Sequence, residues 1–208
     1  IEHNTKDEII TFIKKVGCIQ YDPLNVVGRN SDLVLQSRFK NYKPDFLYSL
    51  LYEDRKLIDG WDKQMSIYLS DDWHKMNRIR VKMEKSVKDT LHWRNASDAL
   101  KYKDQVFQIL KDKGPTISSK IKVGTVERGV WGHGNISSIV LDYLYHKGEV
   151  GVKDKRGTQK VYDLMENLFS EEFLQRKDPF KTKDQFLDWY FIRRLESIGI
   201  IYNKASSW

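Results

Sequence analysis

Three helix-spaced segments followed by two short alternating ones occur twice in this chain, and a repeated unit of that kind leaves few folds open. In the first copy, Asn4 and Thr5 are N-cap candidates, with Asp7 and Glu8 in the first turn. Ile9, Ile10, Ile13 and Val16 recur at helical spacing, and Gly17 stops the helix. A second helix is expected over residues 29–39, burying Leu33, Val34 and Ser37. Pro44 opens a third, with Phe46, Leu47, Leu50 and Leu51 on one side. Strands follow at residues 56–61 and 64–69, joined at Asp62 and Lys63. In the second copy, residues 99–113 and 116–123 read as helices separated by Gly114 and Pro115. Asn135 caps a third helix through Lys147, and Gly148 ends it. Strands at residues 149–153 and 159–164 flank Lys155-Arg156-Gly157-Thr158. Three helices and a hairpin describe a winged helix. The expected fold class is mostly α with small β-hairpins, as tandem winged helix-turn-helix units.

The expected division is a first winged helix at residues 1–70, a basic linker helix at 71–96, a second winged helix at 97–168 and the start of a third at 169–208. The linker carries Lys75, Arg78, Arg80, Lys82, Lys85, Lys88 and Arg94 against Glu84 and Asp89. The third unit has a helical stripe of Phe186, Leu187, Tyr190, Phe191, Arg194 and Leu195. It reaches Trp208 with no room for the rest, so the chain is expected to be a truncated piece of a longer protein; the start at Ile1 rather than Met agrees.

The formal charge of +7 favours a polyanionic partner. No segment approaches the roughly 20 apolar residues of a membrane span, which points to nucleic acid rather than a membrane. The single cysteine, Cys18, excludes an internal disulfide, and the histidines show no metal-ligand spacing. A cytoplasmic monomer without cofactor or metal is expected. The second wing carries Lys153, Lys155, Arg156 and Lys160, residue types that meet phosphates. The first wing, with Asp59, Asp62 and Lys63, is not basic. The third helix of the second copy is short of Arg, Asn and Gln, the usual base readers, so a protein that finds DNA without reading it fits better than a sequence-specific repressor.

The chemistry is expected in Cys18-Ile19-Gln20-Tyr21-Asp22-Pro23-Leu24-Asn25. In an extended segment, Gln20 and Asp22 project side by side and Tyr21 turns the other way, toward the core. An amide that orients a water beside a carboxylate that takes its proton is a minimal hydrolytic site. The plainer reading makes Asp22 a turn residue, since Asp-Pro commonly opens a loop.

Residues 19–29, Ile-Gln-Tyr-Asp-Pro-Leu-Asn-Val-Val-Gly-Arg, resemble the signature of the YcaQ/AlkZ-type winged-helix DNA glycosylases. So do residues 32–38, Trp131, Gly148-Glu149-Val150 with Val152, Arg156-Gly157, Tyr162-Asp163-Leu164, Asp188-Trp189 and Arg193-Arg194. The resemblance implies excision of alkylated bases, mainly N7-alkylguanine, and unhooking of interstrand cross-links in double-stranded DNA. It places the catalytic motif on Gln20 and Asp22, in the Gln-x-Asp branch. Members are longer than this chain, so the resemblance also implies that this piece lacks part of the DNA channel. Arg29 and Arg38 become candidate phosphate ligands, or else salt-bridge partners. Trp131 and His133 are placed to reach DNA from the loop before the third helix, although Trp131 also suits core packing. No lysine lies within the motif, which points to a monofunctional hydrolase. The competing readings are a non-enzymatic winged-helix DNA binder, such as a regulator or scaffold, and a protein-interaction module that binds no DNA.

Overall fold

Helix α1 (Thr5–Val16) sets the first core, because Ile9 and Ile13 fall on one face four residues apart and are both 0 % exposed. Gly17 turns the chain, and β1 (Cys18–Gln20) follows at once. Then come α2 (Asn30–Gln36), α3 (Pro44–Tyr52), β2 (Leu57–Trp61) and β3 (Met65–Leu69). The sheet order is β1-β3-β2, antiparallel throughout, with Ile19 opposite Ile67 and Gln20 opposite Ser66. Leu35, Leu50, Leu57, Ile67 and Tyr68 close this core. Each fully buried side chain of this size contributes about 1.5–3 kcal/mol. A hairpin whose second strand also pairs with a short strand after the first helix is the winged-helix arrangement.

The structure is a computed structural model and describes residues 5–22, 24–124 and 135–201. It divides into two compact units, Ile1–Asn77 with Lys177–Trp208, and Arg78–Arg176. In the second, α4 (Asn77–Trp93) leads to a three-ten turn at Ser97–Tyr102 and α5 (Lys103–Lys113). β4 (Thr116–Ile117), a three-ten turn at Ser118–Lys120, α6 (Ile136–Lys147), β5 (Val150–Arg156) and β6 (Gln159–Leu164) complete the repeat. Its sheet order, β4-β6-β5, reproduces β1-β3-β2. Asn135 caps α6 by accepting from Ser137 N at 3.2 Å, and Ser137 Oγ donates to Ser118 O at 2.8 Å. The short helices α7 (Met165–Leu168) and α8 (Glu171–Gln175) follow.

The chain then returns to the first unit through α9 (Lys183–Ile198), whose Thr182 cap accepts from Gln185 N at 3.2 Å. Phe186, Tyr190 and Arg193 form its buried face, and the helix packs on α1. Among the described residues no helix is long and apolar enough to cross a membrane.

The tandem, mostly helical fold with small hairpins is therefore present, with local corrections. Residues 116–123 are not a helix. Thr116 and Ile117 pair with Tyr162 and Val161, since β-branched residues just after Pro115 favour extended backbone. Residues 97–102 form a three-ten turn ahead of α5 rather than its first turns. The basic helix, Asn77–Trp93, is shorter than the expected residues 71–96, and Ser70–Asp72 form a separate turn ahead of it. In α2 the buried pair is Ser31 and Leu35, four apart, while Leu33 is 39 % exposed. Trp131 and His133 lie outside the described residues.

Candidate hydrolytic site and DNA-facing residues

Alternation along the edge strand decides which side chains meet solvent. Ile19 is 5 % exposed and packs inward, so Gln20 must point outward, and it is exposed. The ladder continues past the strand's end, with Tyr21 N donating to Met65 O at 2.8 Å. This keeps the backbone extended and returns Asp22 to the same outward side as Gln20. The amide of Gln20 has no hydrogen bond among the described residues; only its backbone carbonyl is approached, by Asn30 Nδ2 at 3.5 Å.

Asp22 is half-buried, and its Oδ1 accepts from Leu24 N at 2.9 Å. This is the Asx turn that an Asp-Pro pair favours. Both readings of Asp22 therefore meet in one side chain. One oxygen fixes the loop, and the other, Oδ2, has no hydrogen bond among the described residues. A carboxylate anchored by one oxygen and open at the other is well placed to take a proton.

The loop after Asp22 folds back on itself. Asn25 and Arg29 form an isolated antiparallel bridge, which brings Arg29 to the base of the loop that begins at the motif. Gly28 has φ +146°, a backbone conformation that favours glycine, and a Cβ there would meet Leu33 Cδ2 at 2.9 Å.

A buried polar layer lies behind the strand. Tyr21 is half-buried rather than fully within the core. Burial raises the Tyr52 phenol well above the usual tyrosine range; the neighbouring Asp59 carboxylate and Tyr21 add to this, and Arg29 and Arg55 oppose it. Tyr21, Asp59, Arg29 and Arg55 are thus each within electrostatic reach of Tyr52. Tyr42 donates to Asp32 Oδ1 at 2.5 Å, and burial together with that bond raises its phenol likewise, against a smaller pull from Arg29. Asp59, one of the residues that leave the first wing without a basic surplus, is 5 % exposed. Its spacing of two from buried Leu57 on the same strand was the available signal.

Arg38 stands at the end of α2. Its Nη1 donates to Val34 O at 2.8 Å and to Ser37 Oγ at 2.9 Å, and its guanidinium lies 5.1 Å from the Phe12 ring centroid. It is exposed, with those local partners already in place.

The strand is held from behind by α9. Asp62, in the β2–β3 turn, is 3 % exposed. It accepts from Tyr190 Oη at 2.6 Å, from Arg193 Nη1 at 2.6 Å and from Arg194 Nη2. Burial alone would raise the Asp62 carboxyl, but the two guanidiniums outweigh it and hold the pKa below the usual range. Arg193 Nη2 also donates at 2.7 Å to the carbonyl of Gly17, the residue just before β1. The Arg193-Arg194 pair was visible in the sequence, but its buried partner was not.

In the second unit, the β5–β6 hairpin carries the remaining candidates. Lys155 stands opposite Lys160 in register, and Arg156 opposite Gln159. A register shift between Val152 and Asp154 places Lys153, which is exposed, at an irregularity. Lys160 Nζ sits 4.2 Å from the Tyr145 ring centroid. Like charges directly opposite on a ladder are unfavourable by themselves; here the Lys160 ammonium turns onto the Tyr145 ring, and Lys155 is half-buried.

The structure thus brings Gln20, Asp22 and Arg29 into one segment of the first unit, and Lys153, Lys155, Arg156 and Lys160 onto one hairpin of the second. No solved structure gives a significant match to this fold. The family model described as "DNA glycosylase AlkZ-like" matches residues 13–206, nearly the whole chain and both units. This protein therefore belongs to the AlkZ-like DNA glycosylase family, hydrolases that act on DNA in its repair.

Proposed function

We propose that the protein hydrolyses the N-glycosidic bond of alkylated bases in double-stranded DNA, with N7-alkylguanine as its main substrate, and that it unhooks interstrand cross-links by the same chemistry. In this reading it is of the Gln-x-Asp kind and acts as a cytoplasmic monomer. The observation that carries the proposal is the outward pair on β1 and its extension: a Gln20 amide and an Asp22 Oδ2 that no other described group engages.

An N7-alkylated guanine carries positive charge. When the C1′–N9 bond breaks, its electron pair leaves with the base and cancels that charge, so the base departs neutral without a general acid. One carboxylate then suffices, unlike the pair that sugar hydrolases need. Asp22 takes the proton of the attacking water as the water oxygen bonds to C1′, and its charge stabilises the oxocarbenium-like sugar. The Gln20 amide holds that water in line. Arg29 and Arg38, with Lys153, Lys155, Arg156 and Lys160, bind backbone phosphates and supply affinity without sequence choice. No lysine stands in the motif to form a Schiff base, so the enzyme is monofunctional.

The test is release of N7-methylguanine from alkylated duplex DNA, with a cross-linked duplex as a second substrate. Asp22→Asn abolishes release and leaves the duplex Kd nearly unchanged. Borohydride traps no enzyme on the DNA. Tight, salt-dependent binding without any base release would leave a DNA-binding scaffold instead.

A further inference from the structure

The loop between Asp22 and Arg29 carries an exposed apolar tip that the hydrolytic chemistry does not use. Leu24 is 67 % exposed, Val26 88 % and Val27 86 %. Scattered exposed apolar side chains are ordinary, but three within four residues, beside a polar site, are not. The tip is also held in shape. It starts at the Asp22–Leu24 Asx turn, its base is closed by the Asn25–Arg29 bridge, and its return at Gly28 is covered by Leu33. A loop fixed in this way presents its apolar side chains to solvent without the entropy that would let them fold away.

We propose that Leu24, Val26 and Val27 form a wedge that enters the base stack of duplex DNA next to the damaged nucleotide. The inference rests on the glycosylase reading above and adds to it how the sugar is reached. Three observations select this occupant. The wedge follows Asp22 directly, so whatever it touches lies beside the reacting C1′. Arg29, bridged to Asn25, puts a cationic residue at the base of this loop, on the side where a flanking phosphate would pass. Within a duplex, the apolar surface available to such a tip is the stacked face of the bases, and inserted aliphatic side chains part a base step in this way. Parting the step shifts the lesion's sugar toward the open Asp22 oxygen without swinging the base fully out. A cross-linked base, tethered to the other strand, can still be reached by that route.

The experiment is a duplex holding N7-methylguanine with 2-aminopurine as its neighbour, because 2-aminopurine brightens when it unstacks. Asp22→Asn protein keeps the base in place during the measurement. We expect its fluorescence to rise on binding, and the rise to vanish when Val26→Ser and Val27→Ser are added, while anisotropy still reports a saturated complex. In the otherwise unaltered protein, the same two serines lower excision from duplex DNA by about tenfold or more. The exposure of both valines means that the unfolding midpoint stays within error, and this is measured alongside. An equal fluorescence rise with and without the valines, or an unchanged excision rate, overturns the wedge. Should the parent protein release no base, the fluorescence arm still decides: a valine-dependent rise keeps the wedge while the hydrolytic reading fails.

Discussion

Replacing Asp62 by Asn tests whether the buried ion cluster holds the strand that carries the site. Asp62 receives three donors, Tyr190 Oη, Arg193 Nη1 and Arg194 Nη2, and its side chain is fully enclosed. Asparagine keeps the shape but removes the charge, leaving two guanidiniums, 7 % and 17 % exposed, without a counter-ion. Removing one partner of a buried pair costs about 3–5 kcal/mol. That is a large part of the roughly 5–15 kcal/mol by which a domain is stable. Urea unfolding followed by tryptophan fluorescence reads it, since Trp61, Trp73 and Trp189 all lie in this unit. With a slope of about 2 kcal/mol per molar, the midpoint falls by roughly 2 M while the slope itself holds, because the exposed area is unchanged. The pH dependence gives a second reading. The folded Asp62 carboxyl has a depressed pKa, so its stabilisation is complete above its unfolded value, about 3.9, and is lost as pH falls toward the folded value. The curves for parent and variant therefore converge in acid. A loss below about 1 kcal/mol, the size of a surface pair, or a gap that stays constant down to pH 2, would refute a buried, ionised Asp62.

Four more outcomes follow from the same geometry. Gly17→Ala places a Cβ 2.9 Å from Arg193 Cγ at φ +78°, and a thermal melt should show a loss of about 1–2 kcal/mol from the backbone alone. Lys155→Ala with Lys160→Ala should weaken duplex binding and lower the slope of log Kd against log salt by about 0.9 for each phosphate no longer neutralised; an unchanged slope removes this wing from the interface. Tyr42→Phe should cost about 0.5–1.5 kcal/mol because its bond to Asp32 is gone. Because the folded Tyr42 phenol titrates above the unfolded one, that stabilisation is present below about pH 10 and declines as pH rises further, so the parent's alkaline loss should shrink in the variant. Finally, Ile19→Ala should cost about 2–5 kcal/mol of stability with excision per folded molecule retained, whereas Gln20→Ala should leave stability alone and slow excision by about 10- to 100-fold; single-turnover kinetics beside urea melts separate the two.

How far the sequence could be read depended on the range of the interaction. Periodicity and caps are local, and α1, α3, α6 and both hairpins lie near where the apolar spacing places them. The third strand of each sheet was not legible as such. β1 and β4 are only three and two residues long, and each forms because β3 or β6, far along the chain, offers it an edge. The Thr116–Ile117 pair thus read as helix, since nothing nearby announces its partner. For the same reason, the acidic residues of the first wing show in the sequence only that this wing is not basic, and not where their side chains lie. Asp62 looks like turn punctuation until Arg193, 131 residues later, comes to meet it. Charge alone could not separate a solvated aspartate from one whose counter-ion arrives through tertiary packing. The Gln20–Asp22 spacing was legible, because side-chain alternation in extended backbone needs no distant information.

That alternation also explains why this segment can bear chemistry at small cost to the fold. Along β1 the inward side chain, Ile19, meets Ile67 and belongs to the core, while its outward neighbour contributes nothing to packing and is free to be an amide. Here the strand's start is fixed by the Arg193 bond to Gly17 O, and its continuation by Tyr21 N on Met65 O. Two anchors on either side of Gln20 limit the drift of the backbone between them. The water-orienting role proposed for Gln20 requires its amide to stay within about half an ångström of its place, and a backbone pinned at both ends provides that where a free loop would not. The buried ions of α9 and the outward Gln20 of β1 are therefore coupled: the first group stabilises the strand, and the second takes the position so fixed.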